Sequence, residues 1–144
     1  MRPLPLVLLA LGLTVAGPLA IAEDVVIKPR EPLKGSECLD PGQSRSWTQV
    51  DDTHILVDGG RHKYRIEFDA SCASLRNDNG VSFRGDPMSG KLCGAINDAV
   101  IARDYSCRVA RIDLLDTEQY KNAMHEHEAA LKAERAAKRS SSSP

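Results

Sequence analysis

Four cysteines constrain the fold of this chain more than any other sequence feature. They lie at Cys38, Cys72, Cys93 and Cys107 in a chain of 144 residues. An even number of cysteines in a short exported chain indicates disulfide bonds, because a folded unit of this size has a small core and gains stability from crosslinks. No Cys-x-x-Cys spacing is present, so neither thiol exchange nor a zinc knuckle is indicated.

Four cysteines allow three disulfide pairings. We predict Cys72–Cys93, because this pair brackets the loop-rich residues 71–94, and Cys38–Cys107, because this pair would join the two ends of the folded region. Closing a loop of this length stabilises a folded chain by roughly 3 kcal/mol in the chain-entropy treatment. The disulfides are therefore predicted to be structural rather than redox-active.

The first 22 residues predict a secretory signal peptide. Arg2 gives a positive start, an apolar run covers residues 4–15, and Ala20-Ile21-Ala22 is a small-x-small cleavage site. A membrane anchor is the alternative, but the run is interrupted by Pro and Gly and ends in acidic residues, so it is too short to span a bilayer. We expect cleavage between Ala22 and Glu23, a periplasmic or secreted protein, and no membrane anchor.

The net charge of the mature chain is close to neutral and does not indicate any class of binding partner. Loss of Arg2 with the signal peptide leaves 18 of the 19 Lys and Arg residues against 20 Asp and Glu. Nucleic-acid binding normally requires a basic excess together with aromatic residues on one face. Aromatic residues make up only 4% of this chain, so we expect no nucleic-acid partner.

Residues 38–116 predict a mainly β fold, either a small antiparallel barrel or a curled sheet with disulfides. Five segments rich in β-branched or aromatic residues are separated by turn clusters, namely 44–50, 53–58, 62–68, 99–103 and 107–112. Asp58-Gly59-Gly60 predicts a hairpin turn, and Arg103-Asp104-Tyr105 predicts a second one. A β-sandwich is the alternative architecture.

The segment around residues 62–69 has the alternation of a strand with one buried and one solvated face. The predicted core side contains His62, Tyr64, Ile66 and Phe68. The predicted solvent side contains Lys63, Arg65, Glu67 and Asp69.

The segments flanking the β domain have different compositions. Residues 23–37 mix charge with Pro and Gly and predict an extended arm. Residues 117–138 are dense in Ala, Glu and Lys and predict a helix, with Asp116 as N-cap and Gln119 three residues later. The apolar stripe of this helix is thin: Tyr120, Ala123, Met124, Ala130 and Leu131. Residues 139–144 predict a disordered tail.

Three motifs suggest specific functions that the sequence does not support. Residues 75–86 resemble a calcium loop, but Leu75 stands where the first oxygen ligand is required. Arg84-Gly85-Asp86 is an adhesion tripeptide short enough to occur by chance. His125-Glu126-His127-Glu128 places its histidines two apart, whereas a helical zinc site needs them four apart. We therefore predict no metal, no cofactor and a plain surface loop at residues 71–94.

A pattern of residues across 38–115 is typical of a known family. It consists of the cysteine positions and their neighbours: Cys38, Arg45-Ser46-Trp47, Asp51-Asp52, the hairpin at 54–66, Ser71-Cys72, Leu75, Lys91-Leu92-Cys93 and Cys107-Arg108-Val109. On these residues the chain resembles a domain-of-unknown-function family of small secreted proteins from proteobacteria. The resemblance implies an exported, disulfide-containing β domain in a Gram-negative bacterium. It implies no activity and no catalytic residues.

Two functional hypotheses follow, together with a third in which the protein is purely structural. The first is a non-catalytic binding protein of the bacterial envelope, whose partner is an envelope protein or an anionic glycan or peptide. Its candidate contact residues are cationic or aromatic: Arg45, Trp47, Arg61, Lys63, Arg65 and Tyr120. The alternative is a small periplasmic hydrolase that uses His54 or His62 with Asp51, Asp52 or Asp58, which requires one of the histidines to face a pocket lined by a carboxylate.

Overall fold

A computed structural model describes residues 31–77, 80–103 and 105–141 of the chain. The strands are β1 (Ser46–Gln49), β2 (His54–Asp58), β3 (Lys63–Phe68), β4 (Ser82–Arg84), β5 (Ala99–Ala102) and β6 (Tyr105–Leu115), and one helix, α1 (Thr117–Ser141), follows them. Two short 3-10 helices cover Pro41–Gln43 and Ala73–Asn77. The predicted signal peptide and residues 23–30 of the predicted arm lie outside the described residues.

The six strands form one antiparallel sheet in the order β1-β2-β3-β6-β5-β4. The long strand β6 pairs with β3 through its C-terminal part and with β5 through its N-terminal part. A register shift at Glu67 and Phe68 interrupts the β3–β6 ladder, and such bulges increase the local bend of a sheet. The sheet therefore curls into a half-barrel, which confirms the predicted fold class.

Both predicted hairpins are present. Strands β2 and β3 pair around the Asp58–Gly60 turn, and β5 pairs with β6 around Arg103, while Asp104 lies outside the described residues. Gly60 adopts a φ of 77°, a backbone conformation that residues other than glycine rarely adopt. At Gly59 a Cβ atom would stand 2.6 Å from the Tyr64 ring, so the ring packs directly on the turn.

The concave side of the sheet holds the core. Tyr64, Ile66 and Phe68 of β3 are buried there, as their alternation predicted, while His62 at the end of the hairpin is half-buried. Ile55 and Val57 of β2 join the same cluster, together with Leu39, Leu75, Leu92, Val100, Val109 and Ile112.

The predicted disulfide pairing is wrong. The structure joins Cys38 to Cys93 and Cys72 to Cys107, with Cα–Cα distances of 4.5 Å and 5.9 Å. A bridge between Leu39 and Leu92 brings the first pair together, and pairing of the β3 end with β6 brings the second pair together. Contacts between distant strands, rather than the bracketing of one loop, decide which thiols meet.

Helix α1 begins as the sequence predicts and extends further than expected. Asp116 Oδ1 accepts the backbone N–H groups of Glu118 and Gln119 at 2.8 Å, and Gln119 Oε1 accepts the Asp116 N–H at 3.0 Å. This reciprocal arrangement is a capping box. Residues 139–141, predicted as tail, continue the helix, and residues 142–144 lie outside the described residues.

The predicted arm is attached to the domain at its C-terminal end. Leu33 donates its N–H to the Cys93 carbonyl at 2.7 Å, and its side chain packs against the core cluster. Within the described parts of the chain, no helix combines the length and the hydrophobicity needed to cross a membrane.

Candidate functional site

Helix α1 lies over the convex face of the sheet, where the sequence predicted solvent. Its half-buried residues are Tyr120, Ala123, Met124, His127 and Leu131. On the sheet side, Leu56 is fully buried although it points away from the core cluster, and its partner across the ladder is Arg65. The helix therefore covers a strip of the face of β3 and β6 that lies opposite the core, beside Leu56 of β2, without burying any of its own residues.

The docked face of the helix differs from the predicted stripe at two positions. Ala130 is exposed, and His127 takes a half-buried place instead. His127 lies three residues after Met124 and seven after Tyr120, which is the spacing of one helix face. The helical period alone would have found His127, but the charged His-Glu-His-Glu run made this segment look uniformly solvated.

A groove remains between the helix and the sheet, and we call it the helix groove. Its larger compartment, about 580 Å³, is lined by Trp47, Thr48, Gln49, Val50, Asp51, Leu75, Arg76, His127, Ala130, Leu131 and Glu134. Its smaller compartment, about 330 Å³, adds His54, Leu56, Arg65, Ala123 and Glu126. The shared residues Val50, Asp51, His127 and Ala130 make the two compartments continuous.

The edge strand β1 forms one side of the larger compartment. Val50 donates its N–H to the His54 carbonyl at 3.1 Å, and pairs alternate along an antiparallel ladder. The backbone N–H and C=O of Gln49 therefore point away from β2. The Gln49 side chain donates Nε2–H to the Cys72 carbonyl at 3.2 Å, while its buried Oε1 has no hydrogen-bond partner within the described residues.

A histidine and a carboxylate meet in the smaller compartment. His54 Nδ1 lies 3.0 Å from both carboxylate oxygens of Asp51 and 2.9 Å from Thr53 Oγ1. Asp51 also accepts the Thr53 N–H at 2.7 Å. Partial burial raises the pKa of Asp51, but the hydrogen bonds from Thr53 and His54 outweigh it and hold that pKa below its ordinary value.

The other residues of the hydrolase hypothesis do not form such a pair. Asp52 Oδ1 lies 2.8 Å from Arg76 Nη2, and Asp58 Oδ1 lies 2.5 Å from Lys63 Nζ. His62 contacts the Tyr64 ring edge-on at a centroid distance of 6.3 Å. Of the predicted combinations, His54 with Asp51 is the one that the structure brings together.

The six predicted contact residues fall in three separate places. Trp47 and Arg65 line the helix groove, and Trp47 also packs against the core cluster. Lys63 lies under the helix with its Nζ 5.6 Å from the centre of the Tyr120 ring. Arg45 and Arg61 line a cleft at the end of the β2–β3 hairpin. No single site unites the six.

The loop at residues 71–94 uses its polar side chains for its own structure. Asp86 Oδ1 accepts the N–H groups of Met88 and Ser89 and the Ser89 hydroxyl, at 2.8–3.1 Å. These hydrogen bonds lower the pKa of Asp86. The aspartate of the adhesion tripeptide is thus engaged within its own turn. Asp78 and Asn79 of the calcium-like segment lie outside the described residues, while Leu75 is buried in the core.

The histidines of the helix point in different directions. His125 is exposed, whereas His127 faces the groove. In the described part of the chain, no three His, Cys, Asp or Glu side chains are grouped closely enough to hold a metal ion.

Comparison with known proteins places the chain in a family. A family of unknown function, DUF6491, matches residues 1–131, which include the β domain and the first half of α1. No curated protein and no solved structure matches the chain. Because the match covers most of the sequence, the chain belongs to the family of unknown function DUF6491.

Proposed function

We propose that this protein is an exported, non-catalytic binding protein of the bacterial envelope and that the helix groove is its contact surface. The observation that carries the proposal is the open groove beside an incompletely buried helix. Helix α1 has 25 residues and none is buried, so it covers the sheet without closing over it. Such a surface leaves apolar and polar groups available to a partner.

Export is supported by the sequence of the first 22 residues and by the two disulfides. Disulfides persist in oxidising compartments such as the periplasm. Expression of the full chain in a Gram-negative host, followed by fractionation and mass spectrometry of the intact protein, tests this part. We expect a periplasmic or secreted product that begins at Glu23. A product that retains Met1 and stays in the cytoplasm would overturn it.

The chemistry of the groove suits an extended peptide segment of an envelope protein. Gln49 of the edge strand offers backbone groups that point away from β2, as in strand addition to a sheet edge. Trp47 and Leu131 supply apolar contacts beside this edge. Arg65 and Glu126 supply charges of both signs in the adjoining compartment. Backbone pairing would give affinity, and these side chains would give specificity.

Crosslinking in the native envelope tests the groove with a matched pair of variants. Ala130 lines the groove, whereas its exposed neighbour Ala129 does not. Ala130→Glu should abolish a crosslinked partner that the wild-type chain captures, while Ala129→Glu should retain it. Both variants add the same side chain at an exposed helix position, so neither should unfold the domain.

A truncation after Asp116 provides a second comparison. Removing α1 removes one wall of the groove and uncovers Leu56, so partner capture should be lost and the remaining β domain should be less stable. Equal capture by wild type, Ala130→Glu and the truncated chain would show that the groove is not the contact surface. Absence of any partner above background would overturn the binding proposal.

The Asp51–His54 pair supports a second candidate function, a small hydrolase. A carboxylate bonded to Nδ1 favours the tautomer in which Nε2 accepts a proton, as a general base requires. Purified protein should then turn over a reporter ester, phosphate ester or glycoside. His54→Gln should reduce that turnover by roughly 100-fold or more, and His62→Gln should leave it unchanged. Turnover at the level of buffer alone would exclude this candidate for those substrates.

A further inference from the structure

A cleft at the end of the β2–β3 hairpin collects positive charge, and we call it the basic cleft. Its two joined compartments, about 610 Å³ and 260 Å³, share Gln43 and Arg61. The basic residues along it are Arg45, Arg61, His62 and Lys91. We infer that the basic cleft is a binding site for a small ligand that carries a carboxylate or phosphate group. This site is separate from the helix groove, so the inference does not depend on the proposed function.

The hairpin turn holds Arg45 and Arg61 on one side of the cleft. Arg45 donates its backbone N–H to the Asp58 carbonyl at 2.7 Å, and Arg61 donates to the Gly59 carbonyl at 3.0 Å. A Cβ atom at Gly60 would stand 3.4 Å from Arg45 Nε, so the arginine side chain lies across this glycine. Both guanidinium groups are thus carried by hydrogen-bonded backbone at the same turn.

A disulfide-anchored bridge forms the opposite side. Leu39 and Leu92 exchange backbone hydrogen bonds at 2.8 Å and 2.9 Å, and the Cys38–Cys93 disulfide lies directly beside them. In an antiparallel register this bridge sets Lys91 opposite Asp40. The crosslink holds the two segments of this bridge together.

The cations of the basic cleft lack direct carboxylate partners. Among the described residues, no carboxylate forms an ion pair with Arg45, Arg61 or Lys91. The carboxylate that lines the cleft is Asp40, and it accepts the Gly42 N–H at 2.9 Å and Gln43 Nε2–H at 3.3 Å.

The carboxylate beneath the turn is also engaged. Asp58 accepts the Gly60 N–H at 2.7 Å and contacts Lys63, so Arg45 acts on it only through space. Three positive charges at Arg45, Arg61 and Lys91 therefore line the cleft, and the nearby carboxylates of Asp40 and Asp58 are committed to other hydrogen bonds or to Lys63. The charge of Glu37 reaches the cleft through Tyr64 but forms no ion pair with these three cations among the described residues. This imbalance favours an anion.

The geometry of arginine selects the class of anion. A guanidinium presents parallel N–H donors that match two oxygens of a carboxylate or phosphate, and two arginines at one turn can share such a group. The narrower compartment beside His62 and Lys91 has room for a group the size of a sugar ring. A uronic acid and a sugar phosphate both present this chemistry.

Titration of the full-length mature protein with defined anions tests the inference. The probes are inorganic phosphate, glucose 1-phosphate and galacturonate. Binding of each probe is monitored by the NMR shifts of the backbone amides at low ionic strength. We expect saturable shifts at residues 43–45, 59–62 and 91 for at least one probe. Stronger binding of glucose 1-phosphate would identify phosphate on a sugar, and stronger binding of galacturonate would identify a carboxylated sugar as the source.

Charge-matched variants separate a site from general attraction. Arg61→Gln and Arg45→Gln should each weaken the binding by about tenfold, the effect of losing one charge-assisted hydrogen bond. Arg135→Gln removes the same charge from an exposed position of α1 and should leave binding unchanged. Equal weakening by all three variants, or no saturable shift with any probe, would overturn the site. Unchanged dispersion of the other amide signals shows that each variant is folded.

Discussion

The carboxylate of Asp98 lies 2.8 Å from the backbone nitrogen of Gly94. The same Oδ2 atom accepts the N–H groups of Cys93 at 2.8 Å and Ala95 at 3.0 Å, and the Asp98 side chain is only 1% exposed. One buried carboxylate therefore accepts hydrogen bonds from three consecutive backbone N–H groups that would otherwise need water as their acceptor. It fixes the turn that carries Cys93 to its disulfide and leads the chain into β5.

Asp98→Ala should strongly destabilise the protein. The substitution leaves three largely buried N–H groups without an acceptor, and each unsatisfied donor costs on the order of 1–3 kcal/mol. Because such costs are not additive, we expect a loss of about 3 kcal/mol in the free energy of unfolding, measured by urea denaturation. Asp86→Ala is the control, since Asp86 accepts a similar set of bonds on the exposed loop. An equal loss in both variants would contradict the role of burial.

The sequence predicted the elements whose pattern is local and not those that depend on distant contacts. Alternation around Tyr64 and the glycines after Asp58 identified the central hairpin, because each signal lies within one strand or one turn. Strand β4 was missed because three residues carry too little pattern. Asp98 was missed because an aspartate in a loop gives no sign of being buried, and its role appears only when the loop folds around it.

The candidate sites also differ in whether their residues are close together in the sequence. His54 and Asp51 are three residues apart, and the sequence could pair them. Arg61 and Lys91 were separated by thirty residues, and only the bridge between Leu39 and Leu92 places them along one cleft. The position of α1 over the polar face of the sheet was equally hidden, because Arg65 and Lys63 looked like solvated strand residues until the helix covered them.

The disulfides should be identified by peptide mapping as Cys38–Cys93 and Cys72–Cys107. They close sequence separations of 55 and 35 residues, so removal of either should cost about 4 kcal/mol in the chain-entropy treatment. The double substitution Cys38→Ala with Cys93→Ala removes the first disulfide. Urea denaturation of this variant and of the oxidised wild type measures the loss of stability. A peptide joining Cys72 to Cys93 would contradict the observed sheet contacts.

Tyr120→Ala should loosen the docked helix. The half-buried ring of Tyr120 lies beside the Lys63 ammonium. Burial and the negative charge of Asp58 raise the pKa of the Tyr120 hydroxyl, and a hydrogen bond with Ser46 opposes this rise only in part. Loss of this apolar contact and of the cation–π interaction should cost about 1–2 kcal/mol in unfolding free energy. Hydrogen exchange of the α1 amides should also accelerate. Lys121→Ala, at the exposed neighbouring position, should change neither measurement, and accelerated exchange in both variants would show that Tyr120 has no special role.

Stability should fall in acid partly through Asp58. The hydrogen bond from Lys63 is the main reason that the pKa of this carboxyl lies below its ordinary value of 3.8, with the Gly60 N–H and the charge of Arg45 adding to the effect. Because the folded pKa is depressed, the contribution of Asp58 to stability is fully present above the unfolded pKa and is lost as the pH falls through the folded pKa.

Urea unfolding of wild type and Asp58→Asn at about pH 7 and about pH 3 measures this contribution. The variant should be less stable than wild type at the higher pH, and the difference should shrink at the lower pH. Lys63→Gln should reduce the acid dependence in the same way, because it removes the principal cause of the shift. A constant difference between wild type and Asp58→Asn at both pH values would show that the Asp58–Lys63 contact does not control the acid response.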